Sequence, residues 1–185
     1  MKSLRTILII IFWVVSIVSN QALAQGSFYE LDAKNGFRDA KLGAPLSSFS
    51  DMRLTNYKDI LGYATIYERV NDNKRLGNVP LNRIDYYFYK GRLCSITLIA
   101  DAKYFGDVLH TLHTAYGDAL IPGGFSMKGE IDYHWYGKKA MLYCKTFRIP
   151  GQSGRFLEAS FESVPIYDII SIDQQKQRLR NSNGL

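Results

Sequence analysis

Apolar and polar residues alternate through several short segments of the chain, and this pattern predicts an antiparallel β-sheet. In RIDYYFYKGRLC, residues 83–94, the alternating Ile84, Tyr86 and Phe88 would share one face of a strand. A second segment of similar pattern, EIDYHWYGKKAMLYC, spans residues 130–144. Each segment contains a turn signal followed by a returning apolar strand, so both predict β-hairpins.

The first hairpin is predicted to close through a three-residue loop, Tyr89-Lys90-Gly91, with Gly91 in the left-handed conformation. This loop would set Phe88 opposite Arg92. It would likewise set Tyr86 opposite Cys94. The returning strand would then carry Cys94, Ile96 and Leu98 on the same inward face as the first strand.

The second hairpin is predicted to turn inward Ile131, Tyr133 and Trp135, with a turn at residues 136–139. Strands at 140–147 and 155–163 follow. A helix is predicted at 102–116, because its apolar residues recur at helical spacing. Ahead of the first hairpin, a short helical segment at 45–52 and a strand at 63–70 are predicted. The expected fold class is α+β, an antiparallel sheet with helices packed on one face, built from two helix-plus-antiparallel-strand repeats; chance similarity of two aromatic hairpins is the alternative.

The first residues have the organisation of a secretory signal peptide. Lys2 and Arg5 precede an apolar run at residues 7–18, and Ala22-Leu23-Ala24 supplies the small residues of a cleavage site. The run is shorter than the roughly 20 apolar residues of a membrane span. We therefore expect residues 1–24 to be removed and the mature chain to begin near Gln25, in the periplasm or outside the cell. An uncleaved N-terminal anchor is the alternative.

The remaining residues have the length of one domain, predicted at 25–165, followed by a C-terminal helix or frayed tail at 166–185. Without Lys2 and Arg5 the chain has 21 basic and 17 acidic residues, an excess of four. The basic residues are scattered, apart from KQRLR at 176–180 in the tail. With export as well, this charge pattern argues against a nucleic-acid partner.

The segment NGFRDAKLGAPLSSF, followed by IDYYFYKGRL, TAYGD and DYHWYG, resembles a family of uncharacterised bacterial exported domains that begin Gly-Phe-Arg-x-x-Lys-x-Gly. The resemblance covers residues 35–162 and rests on turns and core residues. It implies an exported domain but no activity and no catalytic residues. In plan, the helix-and-sheet repeat is also similar to the β-lactamase inhibitory protein and to outer-membrane assembly lipoproteins, although the lipidated cysteine of the latter is missing. That similarity concerns architecture alone.

Candidate catalytic residues are few. His110 and His113 are three residues apart on the predicted helix, a spacing that metal ligands use, and His134 could join them. The helix pattern, however, leaves His110 on the solvent side. Asp85 and Asp132, which repeat in Ile-Asp-Tyr, are read as outward-facing strand residues rather than an acid/base pair. We expect no catalytic residue, no metal and no cofactor.

Cys94 and Cys144 are the two cysteines of the chain. Both lie on returning strands, and export would permit a disulfide between them. Their pairing requires neighbouring strands, because bridged Cα atoms lie within about 7 Å. The alternative is two buried free thiols that pack as small apolar groups.

The outward face of the predicted sheet is unusually aromatic. If the inward sets are as described, the opposite face carries Tyr87, Tyr89, His134 and Tyr136. Tyrosine offers a large contact area and a hydroxyl at low entropic cost, although strands favour aromatic residues in any case. The sequence thus predicts a non-catalytic binding protein that uses this open face to hold a protein or an envelope component. The alternative is a small envelope hydrolase or metal-dependent enzyme using His110, His113 or His134.

Overall fold

A computed structural model describes residues 29–57, 59, 62–119, 132–148 and 153–183. The predicted signal peptide, residues 1–24, lies outside these ranges, and so does Ile131. Within the described part of the chain, no helix has both the length and the apolar composition needed to cross a membrane.

A seven-stranded antiparallel sheet forms the centre of the fold, with strand order β3-β4-β7-β8-β11-β10-β9. Its strands are β3 (Met52–Leu54), β4 (Thr65–Arg69), β7 (Arg83–Tyr89), β8 (Arg92–Asp101), β9 (Asp132–Tyr136), β10 (Ala140–Phe147) and β11 (Phe156–Ser163). Two small hairpins pair β1 (Gly36–Phe37) with β2 (Ala40–Lys41) and β5 (Arg75–Leu76) with β6 (Val79–Pro80). The predicted antiparallel α+β class is confirmed.

Three α-helices accompany the sheet in the described ranges: α1 (residues 29–34), α2 (Phe105–Tyr116) and α3 (Val164–Asn183). Short 3-10 turns occupy Leu46–Ser48 and Ala102–Tyr104. The helical segment predicted at 45–52 is therefore only one tight turn. The C-terminal segment, by contrast, forms a continuous helix that begins directly after β11.

The main core lies between α2 and the face of the sheet that we call the inner face. Helix α2 buries Val108, Leu112 and Tyr116 there, as its spacing predicted. The predicted inward residues Ile84, Tyr86, Phe88 and Trp135 join the same core. The indole Nε1 of Trp135 donates a hydrogen bond to the carbonyl of Gly117 at 2.8 Å, so the end of α2 is tied to β9.

Helix α3 packs on the opposite, outer face, which corrects the expectation of helices on one face. Its Ile166 and Ile170 are buried in a second apolar cluster with Cys94, and Tyr87 and Tyr89 pack around them. These two isoleucines are four residues apart and therefore lie on one side of the helix. Part of the face that was expected to be open is covered by the tail of the protein.

Each half of the chain contributes an antiparallel meander to the sheet. The first half supplies four strands, β3-β4-β7-β8, and the second supplies three, β9-β10-β11, and the halves join through the pairing of β8 with β11. The two similar hairpins occupy different places in this arrangement, because β7 lies between two strands whereas β9 is an edge. The halves thus share a plan, but the repeated sequence does not mark equivalent strands.

The first hairpin differs from its predicted register. Lys90 and Gly91 form a two-residue turn with φ values of 47° and 75°, which sets Phe88 opposite Leu93. Tyr87 pairs with Ser95, so Cys94 is an extra residue in β8, a β-bulge. The bulge turns Cys94 to the outer face. Ile96 and Leu98 remain in the main core as predicted.

The disulfide alternative is wrong, because both cysteines are free and buried. Cys94 belongs to the outer cluster and Cys144 to the inner core, so the sheet separates their side chains. Burial raises the thiol pKa of each to about 12. Both cysteines act as small apolar residues.

The N-terminal helix is fixed to the second half of the sheet by Asp32. Its two carboxylate oxygens accept hydrogen bonds from the backbone N–H groups of Lys138 and Lys139, each at 2.8 Å, and of Ala140 at 3.2 Å. These bonds join segments more than 100 residues apart in the chain. They hold the turn of the β9–β10 hairpin in place.

Candidate functional site

A half-open cavity of about 1040 Å³, which we call the basin, lies on the outer face of the sheet. Strands β7, β8, β11 and β10 provide its floor. Tyr57 and Tyr63 from the segment before β4 and Tyr167 from α3 contribute to its walls.

Strand register determines which side chains reach this face, because directly opposed residues in an antiparallel pair point to the same side. Three rows of outer-face residues cross the sheet. Row A is Arg83, Ile99, Glu158, Lys145 and Asp132; row B is Asp85, Thr97, Ser160, Tyr143 and His134; row C is Ile66, Tyr87, Ser95, Glu162, Met141 and Tyr136.

The four predicted binding residues do not come together. Tyr87 and Tyr136 share row C, but four strand spacings separate them, a distance of roughly 19 Å. Tyr87 lines the basin, whereas Tyr89, His134 and Tyr136 do not. Tyr87 and Tyr136 therefore point to the outer face, as predicted, but of the four predicted residues only Tyr87 lines the cavity.

Tyr89 instead helps to hold α3. Its hydroxyl donates a 2.6 Å hydrogen bond to the Asp173 carboxylate, which also forms a 2.7 Å ion pair with Lys90. The hydrogen bond to Asp173 raises the pKa of Tyr89. The tip of the first hairpin and the middle of α3 are thereby joined beside the basin.

His134 and Tyr136 form a separate group on the edge strand β9. Their rings stack at 5.7 Å between centroids and 13° between planes. The Nε2 of His134 lies 2.8 Å from the Asp132 carboxylate. This group is on the same face as the basin but outside its lining.

A network of hydroxyl groups crosses the floor of the basin. The Ser160 Oγ lies 3.0 Å from the Ser95 Oγ and 2.9 Å from the Thr97 Oγ1, and all three side chains are buried. Each hydroxyl thus has a partner within the protein. The network offers polar atoms to a ligand without leaving buried groups unsatisfied when the basin is empty.

Asp85 lies at the edge of this floor, on the outer face as predicted, and it is nevertheless buried. Only 1% of its surface is exposed. Arg83 Nε donates to its Oδ2 at 2.7 Å, while Oδ1 has no hydrogen-bond partner among the described residues. Burial, opposed by Arg83, raises the pKa of Asp85 to about 6.

Two carboxylates and two tyrosines, which were not singled out from the sequence, form the most polar part of the basin. The Tyr143 hydroxyl donates to Glu158 at 2.8 Å, and the Tyr167 hydroxyl donates to Glu162 at 3.3 Å. Burial raises the pKa of Glu162, and hydrogen bonds from Tyr167 and Tyr143 lower it. The alternation in FLEASFES could have indicated these residues, since it places Glu158, Ser160 and Glu162 on one face.

The predicted histidines do not assemble into one site. His113 packs against Trp135 at 5.3 Å between ring centroids, on the inner side of the sheet, and His110 is exposed on the same helix. His134 projects from the outer face. Over the described ranges, no group of three or more His, Cys, Asp or Glu residues is arranged to hold a metal ion.

The chain matches no protein-family model, no curated protein and no solved structure. Its function is therefore inferred from the geometry of the basin.

Proposed function

We propose that this chain is a non-catalytic binding protein that holds a short segment of another protein or of an envelope component in the basin. The observation that carries the proposal is the cavity itself. Its volume of about 1040 Å³ lies just above the range typical of sites for small ligands, roughly 300 to 1000 Å³. A segment that enters it would be held on several sides.

The lining of the basin suits recognition. Tyrosine rings from Tyr63, Tyr87, Tyr143 and Tyr167 supply contact area, and their hydroxyl groups supply hydrogen bonds. Ile66, Ile99, Phe147 and Phe156 add apolar surface between them. This combination of mostly apolar walls with a few oriented polar groups is typical of ligand sites.

Catalysis is less well supported by the same residues. No histidine lines the described part of the basin, and the floor hydroxyls are bonded to one another rather than to a base. A hydroxyl nucleophile requires an adjacent general base. The alternative of a histidine-dependent enzyme gains no support, because His134 and the α2 histidines lie on opposite faces.

The location of action follows from the predicted signal peptide and is part of the proposal. A mature chain beginning near Gln25 would meet its partner in the periplasm or outside the cell. The resemblance to exported domains agrees with this proposal and adds no activity to it.

The test compares two tyrosines of the same row. Immobilised mature protein is incubated with an extract of the native envelope, and the captured material is quantified for the unmodified chain, Tyr87→Ala and Tyr136→Ala. Tyr87 lines the basin and Tyr136 does not, so Tyr87→Ala should reduce capture and Tyr136→Ala should leave it unchanged. Ile99→Arg, which narrows the basin without removing a tyrosine, should also reduce capture.

Thermal melting of each variant separates loss of binding from loss of folding. If the folded Tyr87→Ala and Ile99→Arg variants capture as much material as the unmodified chain does, the ligand does not bind in the basin. If only Tyr136→Ala loses capture, the binding surface lies at the edge strand β9 and not in the basin.

A further inference from the structure

The charges of the basin are distributed unevenly between its two ends. Row C contains Glu162, whereas row A and the residues beyond it contribute three cations, Arg83, Lys145 and Arg148, and one carboxylate, Glu158, to the lining. Rows A and C are four residues apart along each strand, a distance of roughly 13 Å. A ligand lying along the strands would therefore meet an acidic end and a basic end.

Glu162 is a carboxylate of the basin that forms no ion pair in the described residues. Asp59 also lines the basin, where its carboxylate accepts hydrogen bonds from the backbone N–H groups of Tyr63 and Ala64. Among the described residues, Asp85 is paired with Arg83 and Glu158 lies 3.4 Å from Lys145, whereas no such ion pair includes Glu162. Its hydrogen bonds come from tyrosine hydroxyls, which are neutral donors. A partly buried carboxylate whose hydrogen-bond donors are neutral and which forms no ion pair is stabilised when a cation binds beside it.

Aromatic rings around Glu162 restrict the kind of cation. Tyr63 and Tyr167 meet edge to face at 6.4 Å between centroids, and Tyr143 completes the surroundings of the carboxylate. Ring faces attract organic ammonium groups, and tyrosine-lined sites are a common means of binding them. Hard metal ions prefer several oxygen ligands instead.

The basic end has more cationic side chains than carboxylates. Arg83, Lys145 and Arg148 face two carboxylates, Asp85 and Glu158, so one positive charge remains. Arg83 and Lys145 are each 37% exposed and therefore accessible from the basin. An anionic group of the ligand would bind there.

From this polarity, and resting on the proposed binding function, we infer that the component held in the basin is a short peptide with free termini rather than an internal segment of a longer chain. Its ammonium group would bind Glu162 among Tyr63, Tyr143 and Tyr167, and its carboxylate would bind near Lys145 and Arg148. An extended peptide spans about 3.3 to 3.6 Å per residue, so three or four residues match the roughly 13 Å between the two ends.

The experiment uses the mature protein and a matched set of probes. Trialanine, tetra-alanine, N-acetylated trialanine and C-amidated trialanine are titrated at millimolar concentrations, and binding is followed by chemical-shift changes. Acetylation removes the ammonium charge and should weaken binding about tenfold or more, the size expected for loss of a charge-assisted contact. Amidation should weaken binding through the basic end.

Glu162→Gln supplies the test of assignment. It should weaken trialanine about tenfold and leave the acetylated peptide unchanged, so the preference for a free amino group disappears. The matched control is Asp132→Asn, a carboxylate of the same face outside the basin. The control should retain the preference.

Equal binding of free and acetylated peptides, or a preference that survives in Glu162→Gln, would overturn the inference. Absence of binding by the whole peptide set would overturn it as well. In either case the proposed function stands or falls separately, on whether Tyr87→Ala and Ile99→Arg reduce capture of the envelope component.

Discussion

Replacing Asp85 by asparagine should make the protein more stable at neutral pH, although the change removes an ion pair. Asp85 is 1% exposed, and burial raises its pKa to about 6 despite the 2.7 Å contact with Arg83. In the unfolded chain an aspartate titrates near pKa 3.9. The folded protein therefore binds the Asp85 proton more tightly than the unfolded chain does.

The sign of the pH dependence follows from this difference. Between about pH 4 and pH 6 the folded state retains a proton that the unfolded state has lost, so the free energy of unfolding falls as the pH rises. A shift of about two pKa units corresponds to about 3 kcal/mol. This contribution is present below about pH 4 and is lost as the pH rises through 6.

The asparagine side chain of the variant would resemble the protonated aspartate at every pH. The difference in unfolding free energy between Asp85→Asn and the unmodified chain should therefore grow in favour of the variant by up to about 3 kcal/mol from pH 4 to pH 7. Urea unfolding of the mature protein measures it, with the buried Trp135 as fluorophore. The difference cancels contributions from other carboxyls, including Glu162, whose pKa burial also raises.

Asp132→Asn is the control, since Asp132 is partly exposed and paired with His134. A difference for Asp85→Asn that stays constant with pH would refute the reasoning. A difference that grows in favour of the unmodified chain would mean that Arg83 stabilises the Asp85 anion more than burial destabilises it.

Asp32→Ala should lower the free energy of unfolding by about 2 kcal/mol, because three backbone N–H groups lose a charged acceptor, and the melting temperature should fall by roughly 4 to 8 °C; an unchanged melting temperature would contradict the anchoring role. Titration with a thiol reagent at pH 8 should detect no rapidly reacting group in the native protein and two in denaturant, since Cys94 and Cys144 are buried with pKa values of about 12; rapid native reaction would contradict their burial. Sequencing of the exported protein from its N-terminus should begin near Gln25, whereas retention of Met1 in a membrane fraction would indicate an anchor.

The alternation of apolar residues was sufficient to predict the sheet and its inner face. Ile84, Tyr86 and Phe88 lie in the core because a strand with one buried side must repeat with a period of two. The limits of β10 and β11 also follow closely from this pattern. Burial on one face is a strong constraint, and it leaves a clear trace in the sequence.

The bulge could not be predicted from the same pattern. Cys94 is apolar enough for either face, and one extra residue changes the parity of only the neighbouring positions. The turn residues Lys90 and Gly91 did not resolve the register either, since both two-residue and three-residue loops accept glycine there.

The basin cannot be predicted from the local sequence pattern, for a different reason. Glu158, Ser160 and Glu162 alternate with buried residues in β11, and such a polar set is typical of a solvent-exposed sheet face. What makes them a site is the position of α3, whose apolar pair Ile166 and Ile170 could have packed on either face as far as the sequence shows. Long-range packing, rather than local pattern, creates the cavity.

The bulge, α3 and the basin are physically connected. Because Cys94 is the extra residue, its thiol turns outward and contributes to the apolar surface on which Ile166 and Ile170 pack. Helix α3 is then positioned so that Tyr167 reaches Glu162 at 3.3 Å. A strand without the bulge would return Cys94 to the inner core and remove part of the surface that holds α3. One additional residue in β8 thus contributes both to the docking of the C-terminal helix and to the acidic end of the proposed ligand site.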